Sequence, residues 1–66
     1  MNEIKYLEER IKIFEEKISM ILECKAKEMD KSYDQRNYKL LYMYHKDEAM
    51  YSLCLKEFKL LKEKFV

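Results

Sequence analysis

The only histidine, His45, stands two residues before Asp47, and the only cysteines are Cys24 and Cys54. A histidine and an aspartate act together as a general base when three or four residues of helix separate them. A spacing of two turns the side chains about 200° apart. Nucleophilic catalysis also needs an orienting third group and a pocket, and a narrow helical bundle offers little pocket volume. Structural zinc needs paired ligands at close spacing, which one histidine and two distant cysteines do not supply. A phosphate-binding loop needs glycine, and the chain contains none. The expectation is a protein that is not an enzyme, with no catalytic residue, metal or cofactor.

Recognition chemistry is better represented. Tyr38, Tyr42 and His45 recur at i, i+4 and i+7, with Arg36 and Lys39 on either side and Lys46 beyond. Aromatic rings set among bases anchor protein interfaces or stack on unpaired nucleobases. These five residues, Arg36, Tyr38, Lys39, Tyr42 and His45, are the candidate partner-binding set. Asp47 falls among apolar neighbours at a helix seam. There it either pairs with Lys17 or a tyrosine hydroxyl and helps select one helix register, or reaches water where the bundle splays.

What must position these residues is helical. The chain has 66 residues, 48% apolar and 41% charged, with a net charge of +1 and neither glycine nor proline. Hairpin turns depend on those two residues, whereas Glu, Lys, Leu and Met favour helix. Near-zero net charge argues against a strongly basic nucleic-acid binder and against an acidic mimic of one. No apolar run approaches the roughly 18 residues that a membrane span requires. Met1 to Arg10 is charged throughout and unlike a secretory signal, so the cysteines are read as reduced thiols in a cytoplasmic protein.

Ile4, Leu7, Ile11, Phe14, Ile18 and Ile21 form a heptad seam that fails at Lys25 and Glu28. A second seam runs through Leu40, Tyr44, Asp47, Tyr51, Cys54, Phe58, Leu61 and Phe65. Asn2 can cap the first helix, and Ser32 with Gln35 fits a capping box for the second. The reading is a single all-α domain, with helix 1 over about 2–28, a connection at 29–32 and helix 2 over about 33–65. Glu3, Glu8, Glu9, Glu15 and Glu16 on one arm and Lys56, Lys59, Lys62 and Lys64 on the other favour an antiparallel hairpin. The alternative is one continuous helix about 100 Å long. In the hairpin, Cys24 faces about residue 38, about 24 Å along the axis from Cys54 and beyond disulfide reach.

One apolar stripe per helix is enough for a hairpin, yet "LLYMYHKDEAMYSLCL", residues 40–55, carries more. Met43 and Met50 flank one side of that seam, Leu41 and Leu55 the other, and Leu53 with Leu60 continue outward. Tyr6, Ile13 and Met20 repeat the pattern on helix 1. A helix apolar on most faces expects neighbours on most faces. A chain this short buries only about 60% of its unfolded surface, so association is the expected source of stability. Two hairpins packed as a homodimeric four-helix bundle satisfy both demands, through Met43, Tyr44, Met50, Tyr51, Leu53 and Phe58.

The segment "MYSLCLKEF", with Tyr51, Cys54, Leu55 and Phe58, resembles helix 2 of the plasmid ROP proteins. The resemblance implies an antiparallel hairpin that dimerises into a four-helix bundle and binds paired RNA loops. Phe14 and Lys25 resemble that family's RNA-contacting positions, whereas Tyr6, Ile11 and Ile18 depart from its polar helix 1 surface. The functional expectation is a protein–protein interaction module: a small regulator, inhibitor, adaptor or co-chaperone of a larger protein. An RNA-binding bundle using the aromatic and basic stripe is the alternative, and a subunit of a hetero-oligomer is a third reading.

Overall fold

The computed structural model describes residues 3–65, so the expected cap at Asn2 lies outside the described residues. Helix α1 spans Glu3–Met29 and helix α2 spans Tyr38–Lys64, with a single 3-10 turn at Tyr33–Gln35 between them. The described residues contain no strand, and the two helices pack against each other along their length. The molecule measures 50 × 14 × 14 Å, half the length of a continuous helix through the whole chain. It is an antiparallel hairpin.

Each end has a local cause. Glu3 sits in the first turn of α1 and Lys27 in its last, both favourable to the helix dipole. The Asn37 side chain accepts a hydrogen bond from the Leu40 N–H at 3.0 Å and caps α2. Lys62 and Lys64 occupy the last turn of α2.

The start of α2 corrects the expected boundary. Ser32 makes no side-chain cap, and the Tyr33–Gln35 turn ends at Arg36 in extended conformation. Helix 2 therefore begins at Tyr38 rather than near Tyr33, and the connection runs from 30 to 37. The reason is tertiary. The buried Glu28 carboxylate accepts a hydrogen bond from the Asn37 N–H at 2.9 Å, and Lys31 Nζ binds its other oxygen at 3.0 Å. That anchor favours Asn37 over Ser32 as the cap.

Glu28 corrects a second expectation, because the α1 seam does not fail at Lys25 and Glu28. The heptad geometry continues with polar side chains. Lys25 meets Glu48 across the hairpin at 3.0 Å, and Glu28, only 6% exposed, closes the turn. At the open end the α2 seam stops short. Leu61 and Phe65 are exposed, whereas Lys62 is half-buried.

The apolar centre is small. Among the described residues only Leu7 and Phe14 are buried hydrophobics. Phe14 stacks on Phe58 at 5.5 Å and meets Tyr51 at 5.7 Å between ring centroids. Arg10 covers the cluster with its guanidinium 5.3 Å from the Phe14 centroid. Of the expected charge complementarity, Glu15 and Lys59 approach to 3.9 Å, both more than half exposed. Such a pair contributes little, about 0–1 kcal/mol, and mainly selects orientation.

Candidate interaction surface

The partner-binding candidates divide into two groups. Tyr38 and Arg36 help to hold the connection. The Tyr38 hydroxyl donates to the Tyr33 carbonyl at 3.2 Å, and the two rings meet edge to face at 5.8 Å. Arg36 Nε donates to the Lys31 carbonyl at 3.0 Å. Tyr42, His45 and Lys39 are exposed on the outside of α2, with Tyr42 at 67%. The stripe is therefore a free outer segment joined to a structural one, because the later start of α2 brings Tyr38 into its first turn beside the connection.

The expected oligomer-interface residues also divide. Phe58 and Tyr51 pack on Phe14 inside the hairpin. Tyr44 is half-buried beside Cys24, and that burial, reinforced by the neighbouring thiol, pushes its phenol pKa up. Met43, Met50 and Leu53 remain exposed, each by half or more. Asp47 is half-buried and lines a shallow depression with Lys17, Met20, Ile21, Tyr44 and Tyr51. Lys17 Nζ lies 5.4 Å from the Tyr51 ring centroid, a cation–π contact on the wall of that depression.

The cysteines are both free. Their relative heights differ from the expectation, because the longer connection shifts the register. Cys24 lies beside Tyr44 rather than residue 38, and the Tyr44 and Lys25–Glu48 pairings put Cys54 about 8–15 Å farther along α2 rather than about 24 Å. Among the described residues no group of three or more His, Cys, Asp or Glu is placed to hold a metal ion. No helix among them is long and apolar enough to cross a membrane.

Sequence reasoning missed Glu28 as a working residue. A usable signal was present: Lys25 and Glu28 continue the 3–4 spacing of Ile18 and Ile21. A carboxylate on that line within a turn of the helix end is placed to accept backbone N–H groups from the returning chain. The hydrogen bond from Asn37, followed by that from Lys31, holds the Glu28 carboxyl below its ordinary range against the opposing effect of burial.

Comparison with family models, with curated proteins and with solved structures returns no significant match.

Proposed function

We propose that the chain is a non-enzymatic protein–protein interaction module, a small regulator, inhibitor, adaptor or co-chaperone of a larger protein. It works as a homodimeric four-helix bundle that buries helix faces, and its free thiols suit a reducing, cytoplasmic setting. The observation that carries this reading is the imbalance of apolar surface. Two hydrophobic residues are buried, while fourteen large ones are exposed among the described residues. One hairpin therefore leaves a large apolar surface uncovered.

Tyr42 and His45, with Lys39 beside them, form the outward anchor for the larger partner. A protein partner is favoured over RNA because two members of the expected aromatic and basic stripe, Tyr38 and Arg36, are engaged in the connection.

Sedimentation equilibrium at micromolar concentration tests the assembly: a dimer is expected, and a folded monomer would refute it. The anchor is tested with Tyr42→Lys. Exposed substitutions usually change stability by less than about 0.5 kcal/mol, so this variant should melt with the parent protein. Its capture of a partner from native lysate should fall by tenfold or more, as about 2 kcal/mol at a tyrosine hot spot implies. Capture that disappears with nuclease treatment or falls steeply with salt would favour RNA instead, since phosphate contacts release counterions.

A further inference from the structure

Two flanks run along the hairpin beside the seam, and they differ in character. At about 100° per residue, Tyr6, Ile13 and Met20 fall on one flank of α1, and Met43, Met50 and Leu61 on one flank of α2. The contacts place Met20 on the side of Asp47, and the helical repeat carries the other five to that same side. Lys17 and Met20 share their depression with Asp47 and Tyr51, whereas Glu15 meets Lys59 on the opposite side. Ile11, Lys59, Lys62 and Glu63 surround a second depression on that opposite side. The facing pairs Lys25–Glu48 and Phe14–Phe58 place Met20 near the height of Met50 and Ile13 near that of Leu61. The first side carries exposed apolar residues at successive heights, with Lys17 and Asp47 between them, and the other mixes the charged Glu15, Lys59, Lys62 and Glu63 with Leu22, Leu41 and Leu55.

We infer that the side carrying Tyr6, Ile13, Met20, Met43, Met50 and Leu61 is the surface on which a second copy of this chain docks. The inference rests on the dimeric reading above and specifies its interface, which both helices build. All six residues are exposed in the hairpin, Met20 by 64%. The surplus of exposed surface is in keeping with an occupant of this chain's own size. The hairpin exposes 5479 Å², whereas a compact monomer of 8.3 kDa exposes about 4,600 Å². The excess, about 900 Å², is close to the roughly 800 Å² that each partner contributes to a standard stable interface. The seven-residue spacing of Tyr6, Ile13 and Met20, and of Met43 and Met50, also suits knobs-into-holes packing between hairpins of equal repeat.

The methionines provide a test that needs no mutation. Dilute hydrogen peroxide converts accessible methionine to its sulfoxide, and peptide mapping by mass spectrometry reads each site. In the hairpin alone, Met20, Met43 and Met50 are more exposed than Met29, at 64%, 51% and 52% against 45%. Docking reverses that order. All three should oxidise at least threefold more slowly than Met29 in the native protein. The double variant Met20→Glu, Met50→Glu should lose the dimer, whereas Leu22→Glu, Ser52→Glu on the opposite side should keep it. If the native protein is dimeric but the three methionines oxidise as fast as Met29, this face is wrong and the dimeric reading survives. If the native protein sediments as a folded monomer, both fail together.

Discussion

Phe14→Ala should largely unfold the protein at room temperature. Phe14 is one of two buried hydrophobic residues among those described, and it joins α1 to both Tyr51 and Phe58. Truncating a buried phenylalanine costs about 3–5 kcal/mol through lost transfer free energy and the cavity left behind. At about 0.05–0.15 kcal/mol per residue, a chain of 66 residues has a total stability of the same order. The loss should therefore appear as collapse of the helical circular dichroism signal. Phe65→Ala is the control, because Phe65 is half exposed at the end of α2 and should change stability by less than about 1 kcal/mol. Equal melting curves for the two variants would show that the aromatic cluster does not hold the hairpin together.

The second large effect is expected at Glu28. Its carboxylate receives the Asn37 N–H and the Lys31 ammonium while nearly excluded from solvent. Glu28→Ala leaves the Asn37 N–H without that acceptor and removes the link that sets where α2 begins. The loss should exceed that of Asn37→Ala, which removes one side-chain cap of about 1 kcal/mol. Amide hydrogen exchange should accelerate first across residues 30–40.

The same contacts set a pH dependence. The Glu28 carboxyl is held below its ordinary value of 4.5, so the folded state binds this proton less readily than the unfolded chain does. The stabilisation is therefore complete above that ordinary value and is lost as pH falls through the lowered folded value. Glu28→Gln, which cannot titrate, should show a flatter dependence over this acid window. An unchanged acid profile in that variant would mean that other carboxylates govern acid unfolding.

Much of the architecture was legible because it depends on periodicity. The 3–4 spacing from Ile4 to Ile21 states helix and interior face together, and Leu7 and Phe14 on that line are buried. Tyr51 and Phe58, seven residues apart, likewise meet α1. The absence of glycine and proline excluded the usual turn chemistry of sheets. The exposure of Tyr42 and His45 was also readable, since both lie away from the seam.

The sequence by itself determined two amphipathic helices, the faces they turn inward and an excess of apolar surface. Those are local properties, set by residue type and the helical repeat. Tertiary structure decided the connection and the register. Ser32 and Asn37 are both good N-caps, and capping preferences differ by too little to choose between them. The choice falls to Glu28, nine residues before Asn37, whose buried carboxylate accepts only the Asn37 N–H of these two. That long-range bond starts α2 at Tyr38 and draws Tyr38 and Arg36 into holding the turn. It also lengthens the connection, which shifts every facing pair and puts Tyr44 beside Cys24 and Glu48 beside Lys25. Helix propensity acts within a turn or two of chain, whereas register is set where one helix meets the other.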